Sequence, residues 1–482
     1  MGTPNILLIC TDQQRYDVLG AFGNPYLSTP AIDGLAGEGV RFDRCYTPSP
    51  VCAPARASLL TGLLPHAHGL WANGVALPGS PPMLGRLLAD AGYDCGLVGK
   101  LHLAACFGGR DETRHDDGFR FFEWAHDPSH SSPNNRYHTW IQENFPELWV
   151  EQQAADHGAE GTTYRVGDDV PTEAHYSHWV AEQTIRYLQD ERDPDKPFFF
   201  VSNFYDPHHP FVAPEEYVER FRGKVPEPIG PAVPTDDRPP IQRESSKASY
   251  AGNAPGFQDY TPEQIQDIVA NYYAMVALID DEVGRILRTL QEQGLAGDTL
   301  VIFTSDHGEM LGDHAQLLKG PLFYEGAVRV PLVMRWPGEL PAGVVRDDLV
   351  QFHDLFATCL SAAEVAAPAY THAMDLLPVA RGAGPGRPYA ITEYRNSGHP
   401  YEPPVHATMV RDERFKLVVH HGPPASERAG AGELYDLHDD PQELRNLWAD
   451  PLHAATRAEL TEQLLNVFVA TENRTASRDA FW

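Results

Sequence analysis

Cysteine is scarce and scattered in this chain. The six thiols, at positions 10, 45, 52, 95, 106 and 359, include no C-x-x-C pair. Neither a zinc ribbon nor a disulfide framework is therefore expected. Positive charge is also in short supply: 37 Lys and Arg stand against 67 Asp and Glu, a formal net charge of −30. That excludes the basic footprint required by nucleic acid or an anionic membrane. An anionic substrate would need a locally positive site within an acidic protein. Long apolar runs are missing too, and none approaches a membrane span. The apolar run at residues 6–10 is shorter than a secretory core and has no basic segment before it. Ile6 stands where N-myristoylation of Gly2 would need Ser or Thr. A soluble protein of a reducing, cytoplasmic compartment is the expectation.

What the chain does have is material for a core: 482 residues, 42% of them hydrophobic. At ~150 residues per domain the length allows about three domains, although large α/β enzymes often run longer as one. Apolar strand-like runs alternate with helical patterns. NILLICT, VRFDRCYT, YDCGLVG, PFFFVSNF, TLVIFTS and RVPLVMRW read as strands. TPAIDGLAGEG, the stretch after Cys52, PPMLGRLLADAG, HYSHWVAEQTIRYLQDE and a long segment from Thr261 to Gly294 read as helices. Continuous strands alternating with helices predict an α/β fold, a large mostly parallel sheet flanked by helices. After residue 380 the pattern turns to period two with turn residues between, as in RPYAITEYRN, HATMVRDERFKLVVHH and GELYDLH. This predicts a smaller C-terminal α+β subdomain on an antiparallel sheet, closed by a helix over 454–471. The division is 1–380 and 381–482. Two polar stretches, 126–172 and 221–257, fit neither pattern and read as long loops, either lids or disordered.

In a doubly wound sheet, ligands bind beyond the carboxyl ends of the strands. Asp12 and Gln13 follow the first strand, Lys100 and His102 follow YDCGLVG, Asp206 and His208 follow PFFFVSNF, and Asp306 and His307 follow TLVIFTS. Lys319 lies in the loop before RVPLVMRW. Each has an ordinary reading as a cap, a turn or a solvated charge; their shared location is what singles them out. Asp12, Gln13, Asp306 and His307 offer oxygen and imidazole donors to a divalent ion, Ca²⁺, Mg²⁺ or Mn²⁺, the imidazole tilting the choice toward Mn²⁺. Arg56, Lys100 and Lys319 could clamp a tetrahedral oxyanion. His102 and His208 are acid or base candidates near neutral pH. In SPVCAPARASLLTG, Cys52 falls at a helix start, where negative charge is favoured.

With these residues in view, the chain resembles the formylglycine-dependent (type I) sulfatases, arylsulfatase-like enzymes of the alkaline phosphatase superfamily. C-A-P-A-R-A-S-L-L-T-G at 52–62 is similar to the C-x-P-x-R signature with its T-G element. N-I-L-L-I-C-T-D-Q, G-K-L-H at 99–102, D-P-H-H-P-F at 206–211, S-D-H-G-E at 305–309 and K-G-P-L-F-Y-E at 319–325 fall in the family's order. E-L-Y-D-L-H-D-D-P-Q-E-L-R-N-L at 433–447 looks like its C-terminal domain. The resemblance implies that a maturation enzyme oxidises Cys52 to Cα-formylglycine. One hydroxyl of the hydrated aldehyde would attack sulfur, and the other would let the sulfated hemiacetal collapse. It further implies that Asp12, Gln13, Asp306 and His307 hold Ca²⁺ or Mn²⁺, and that Arg56 and Lys100 hold the formylglycine and the sulfate. His102 would be the base for collapse, His208 and Lys319 would bind sulfate and protonate the leaving oxygen, and Asn73 would touch a substrate oxygen. Residues 1–380 would be the catalytic domain.

Two positions depart from the commonest family pattern. Gln13 stands where many sulfatases have a second Asp, and His307 where they have Asn. The same two substitutions occur in the related phosphonate monoester hydrolases and phosphodiesterases, which are the alternative reading, while G-K-L-H keeps the Lys and His of sulfatases. Sulfate monoesters and phosphodiesters both carry one negative charge, so gross charge does not separate them. The expected activity is hydrolysis of a small, aryl-type sulfate ester, with promiscuity toward the phosphorus esters. A homo-oligomer is left open, with the aromatic Phe481-Trp482 end as its one candidate contact.

Overall fold

The strand NILLICT, β1 (Asn5–Thr11), lies in the middle of the main sheet and is apolar on both faces. Its side chains alternate between two cores, Leu7 and Ile9 entering one and Ile6, Leu8 and Cys10 the other. A strand of this kind needs cover on both sides, which only a helix–sheet–helix sandwich supplies. The computed structural model in which this is seen describes residues 3–79, 81–106, 108–149, 170–232, 238–422 and 431–472.

The further strands are β2 (Val40–Tyr46), β3 (Asp94–Gly99), β4 (Phe121–Trp124), β5 (Phe198–Asn203), a small ribbon of β6 (Ala248–Ser249) and β7 (Ala254–Pro255), then β8 (Thr299–Ser305), β9 (Arg329–Val330), β10 (Leu332–Arg335) and β11 (Val344–Gln351). The main sheet runs β11-β2-β10-β8-β1-β5-β3-β4, with β9 paired to β2. Its pairs are parallel apart from those of β10 and β9. The fold class is therefore the mostly parallel α/β sheet expected from the sequence. The reversal at RVPLVMRW has a local cause. β8 ends at the carboxyl edge, and residues 306–328 stay there instead of crossing back over a face, so the chain re-enters the sheet running the other way. Pro331, which has no N–H to give the ladder, splits that segment into β9 and β10.

One face is covered by the helices Pro30–Gly37, Tyr176–Arg186 and Pro262–Glu292, the last capped by Thr261 in a reciprocal box with Gln264 and followed by Gly294 at φ +70°. The other face carries Cys52–Thr61, Leu84–Asp90 and Asp354–Ala362. Beyond residue 380, β12 (Ala390–Arg395), β13 (His406–Arg411), β14 (Phe415–His421) and β15 (Gly432–Asp436) pair in sequence as an antiparallel meander. Leu460, Leu464 and Val467 of the helix Ala454–Ala470 pack on it.

The two stretches expected as loops hold structure of their own. The helix Arg136–Asn144 lies in the first, its start capped by the Asn135 side chain on the Tyr137 N–H. The helix Pro240–Lys247 lies in the second, with Pro at its first position. Both are short and polar, so no apolar period announces them. Residues 150–169 and 233–237 of those stretches, and Phe481 and Trp482, lie outside the described residues.

Candidate active site

Because β1, β3, β5 and β8 are parallel, their carboxyl ends fall on one edge. That edge gathers Asp12 and Gln13, Lys100 and His102, Asp206 and His208, and Asp306 and His307, the grouping predicted from the strand ends. Gly99 makes the gathering tight. It sits at φ +90°, and a β-carbon there would lie 1.9 Å from the Asn203 carbonyl oxygen. Only glycine lets the end of β3 approach β5 so closely. The Asn203 side chain then donates to the Lys100 carbonyl at 2.7 Å and fixes the turn.

Cys52 is the first residue of the helix Cys52–Thr61 and is buried. Its Sγ lies 2.8 Å from Lys319 Nζ, 3.1 Å from His307 Nε2 and 3.4 Å from Asp12 Oδ1. One turn along the same helix, Arg56 spans the two carboxylates. Its Nε donates to Asp306 Oδ2 at 2.8 Å, its Nη2 to Asp12 Oδ2 at 3.2 Å and its Nη1 to the Lys100 carbonyl at 3.0 Å. Lys100 Nζ adds a 2.7 Å contact to Asp12 Oδ2. Arg56 and Lys100 thus occupy the Oδ2 atoms, while the Oδ1 atoms face His307 Nε2, at 3.6 Å for Asp12 and 3.7 Å for Asp306, with Lys319 Nζ 3.8 Å from Asp12 Oδ1. His307 Nδ1 donates to the Gly308 carbonyl at 2.9 Å, so Nε2 carries the lone pair; it faces the same point and accepts there from Lys319 Nζ at 3.3 Å, with Cys52 Sγ at 3.1 Å.

One donor atom from each of Asp12, Cys52, Asp306 and His307 lies within 4.8 Å of the others. Gln13 is held at φ +68° with its Nε2 donating to Glu309. Its Oε1 is buried and has no hydrogen-bond partner among the described residues. An orphaned carbonyl oxygen in the same site as two carboxylates and an imidazole lone pair is a donor set that fits a divalent cation.

The electrostatics agree. Burial pushes the Asp12 carboxyl up, but Lys100 and Lys319 outweigh it and hold Asp12 well below the usual carboxylate range. Burial, with Asp12 beside it, pushes the Cys52 thiol up to about 11, so the unmodified residue is a neutral thiol. Burial also lowers His307 to about 4 and holds His102 and His208 well below their ordinary value. Asp12 and Asp306 therefore face Arg56, Lys100 and Lys319, a concentration of basic side chains within a strongly acidic chain.

The remaining predicted residues surround this point. His102, at φ +61°, donates its backbone N–H to Glu112 at 2.9 Å, and its Nδ1 is buried without a partner among the described residues. The His208 ring stacks on His209, centroids 4.1 Å apart, and meets Tyr205 at a 40° tilt, centroids 4.8 Å apart. Asn73 turns its Oδ1 to the Ala53 N–H at 3.1 Å, the position of a cap on the Cys52 helix. Sequence reasoning left out Glu309, which holds Gln13 and also accepts from the Leu311 N–H at 2.9 Å, and His209, whose Nδ1 is 3.3 Å from Gln13 Nε2. Both lie inside the quoted motifs, one or two residues from those selected.

Fold and site together define a hydrolase of the alkaline phosphatase superfamily. The sulfatase family model matches residues 4–365, and the C-terminal model of N-sulphoglucosamine sulphohydrolase matches residues 312–470. The chain belongs to the sulfatase family, the sulfuric ester hydrolases of that superfamily. It is 30% identical over 481 residues to the uncharacterized sulfatase YidJ of Escherichia coli (strain K12), covering 97% of this chain and 87% of the relative. To the arylsulfatase of Clostridium perfringens (strain 13 / Type A) it is 29% identical, covering 92% and 90%. Among solved structures, the phosphonate monoester hydrolase of Agrobacterium radiobacter superposes with a TM-score of 0.83 at 30% identity, over 98% of this chain and 97% of that one. No helix among the described residues is long and apolar enough to cross a membrane.

Proposed function

We propose that the chain hydrolyses a small sulfate monoester, with Cys52 in its Cα-formylglycine form as the nucleophile and a divalent cation held by Asp12, Gln13, Asp306 and His307. The observation that carries this reading is the convergence of Lys319, His307 and Asp12 on the side chain of residue 52 at a helix N-terminus, with Arg56 and Lys100 bracing Asp12 and Asp306 behind it. A divalent cation there would supply positive charge to the developing oxyanion and acidity to the attacking hydroxyl. The protein's own groups do the rest. Arg56 holds both carboxylates in register. Lys100 and Lys319 compensate the sulfate charge as it redistributes in the transition state. His102, neutral in its buried loop, is the base. His208 is neutral in the free site; a bound monoanion beside it favours its protonated form, in which it donates to the leaving oxygen. The protein would act in the cytoplasm after conversion by a formylglycine-generating partner, with residues 1–380 carrying the chemistry and residues 381–482 buttressing it.

A second reading rests on Gln13 and His307, which make the cation site less negative and fit hydrolysis of a phosphonate monoester or phosphodiester. The test is kcat/KM for p-nitrophenyl sulfate against a matched phenyl phosphonate monoester, with Cys52 conversion confirmed by peptide mass and the metal identified. Preference for sulfate supports the first reading; preference for the phosphonate replaces it with the second.

A further inference from the structure

A second cluster of soft donors lies beside the first. His102, Cys106 and His126 each bring one donor atom within 4.8 Å of the other two. The set shares no residue with Asp12, Cys52, Asp306 and His307. Cys106 Sγ is 3.2 Å from His126 Nδ1, close to the ~3.6 Å that separates sulfur and nitrogen donors on a tetrahedral zinc ion. The His102 and His126 rings meet edge to face with centroids 4.6 Å apart.

The donors are held by groups that do not compete for them. His130 Nε2 donates to the Cys106 carbonyl, so the backbone of the cysteine is anchored and its sulfur left free. The carboxylate of Asp127 stands 3.9 Å from His126 Nε2, beyond hydrogen-bond distance and on the nitrogen that does not face Cys106, so it adds negative charge behind the ring without taking the donor. Glu112 fixes the His102 backbone. His102 is 6% exposed, yet its Nδ1 has no hydrogen-bond partner among the described residues. An unpartnered buried nitrogen costs free energy unless something binds there.

We propose that His102, Cys106 and His126 form a site for a soft divalent metal, Zn²⁺ or Co²⁺, separate from the oxygen-rich centre at Cys52. Two nitrogens and one sulfur select these ions over Ca²⁺ and Mg²⁺ and leave a fourth position for solvent. On binding, the Cys106 thiol proton passes to solvent and the thiolate takes its place on the metal, with no change of oxidation state. The consequence for turnover rests on the assignment of His102 as the base: a metal on His102 withholds that base, so the site is inhibitory.

The experiment titrates the enzyme, its catalytic centre already loaded, with Co²⁺ and with Zn²⁺. Co²⁺ is expected to give a sulfur-to-cobalt charge-transfer band in wild type and in Cys52→Ser, and none in Cys106→Ser. His126→Gln, which leaves the thiol in place, weakens Co²⁺ binding about tenfold or more and serves should the cysteine variant not fold. Zn²⁺ is expected to slow wild type about tenfold or more while leaving Cys106→Ser, whose rate without added Zn²⁺ matches that of wild type, unaffected. A band that follows Cys52 instead of Cys106 overturns the proposal. So does a band that survives Cys106→Ser. If the band behaves as expected but Zn²⁺ does not slow turnover, the metal site stands and the role of His102 as base falls.

Discussion

Cys52 and Cys106 are both buried thiols with an imidazole nitrogen about 3 Å away, at 3.1 and 3.2 Å. They differ in everything else around them. Cys52 is ringed by Asp12, Asp306, Arg56, Lys100 and Lys319, charged groups that a hard cation and an oxyanion would complete. Cys106 has two imidazoles and no charged group bonded to its sulfur among the described residues, a setting for a soft metal. The loop 100–106 joins the two regions, giving Lys100 to the first and His102 to both. The same atom types at the same spacing thus lead to different chemistry, because the charges behind them decide which ion or anion is stable there.

The sharpest way to test this contrast is to remove each sulfur in turn. Cys52→Ala should abolish turnover, a loss on the order of 10⁵-fold or more, as for other enzymes deprived of their nucleophile. With the catalytic centre loaded and no Zn²⁺ added, Cys106→Ala should leave the rate within about twofold, since it touches no reacting atom. Initial rates on p-nitrophenyl sulfate measure both. Comparable losses from the two variants would break the division between the regions.

Next in size is His208→Ala, expected to cost ~10²–10⁴-fold as loss of a general acid. The loss should grow as the leaving group becomes more basic. A series of substituted phenyl sulfates measures this, and an equal loss across the series would show that His208 binds substrate instead of protonating the leaving oxygen. Lys100→Ala should cost ~10²–10³-fold, the cost of removing one donor to developing charge. Lys100 also neutralises Asp12 Oδ2 at 2.7 Å, so the variant should alter affinity for the catalytic cation as well. Co²⁺ binding at Cys106 should change far less and in the direction of tighter binding, since Lys100 acts on Cys106, His102 and His126 only through space. A parallel shift at both sites would mean that loop 100–106 moves as a unit and that the two regions are not independent.

Much of this was legible in the sequence because strand ends are legible. The runs before Asp12, Lys100, Asp206 and Asp306 are continuous apolar strands, and a parallel sheet brings all such ends to one edge. The sulfatase signature at Cys52 then pointed to the family. What stayed hidden is of two kinds. β4 and the helices Arg136–Asn144 and Pro240–Lys247 are short and are held by caps and docking, not by an apolar period. The second cluster escaped because His102 and Cys106 lie in an irregular loop and His126 is twenty residues further along. No C-x-x-C or helical spacing marks donors that a left-handed turn at His102 brings together.

A smaller effect concerns the base of the Cys52 helix. Asn73 caps it through the Ala53 N–H, so Asn73→Ala leaves a donor unpaired and should cost about 1–3 kcal/mol of stability. Its cost in kcat should be smaller than that of Lys100→Ala. Chemical denaturation and steady-state rates check the two together; a rate loss without a stability loss would mark Asn73 as the substrate contact that the family resemblance implies.

The smallest expected change isolates a third imidazole, His68, beneath the same helix. Its Nδ1 accepts from the Leu70 N–H at 3.1 Å, which places its proton on Nε2, 3.0 Å from Ser58 Oγ. Both nitrogens are used, so His68 has no lone pair for a metal, unlike His102. Burial lowers it from 6.5 to about 3. Between those values the unfolded chain binds a proton that the folded chain refuses, so stability is full above about pH 6.5 and falls as the pH drops toward 3. His68→Gln, which retains an amide donor toward Ser58, should therefore show a smaller fall in Tm between about pH 7 and about pH 5 than wild type. Zn²⁺ should not change that difference, because the metal engages His102 and His126 and leaves His68 alone. An unchanged acid slope in the variant would mean that His68 is protonated in the folded state and that the Cys52 helix is not braced by a neutral imidazole.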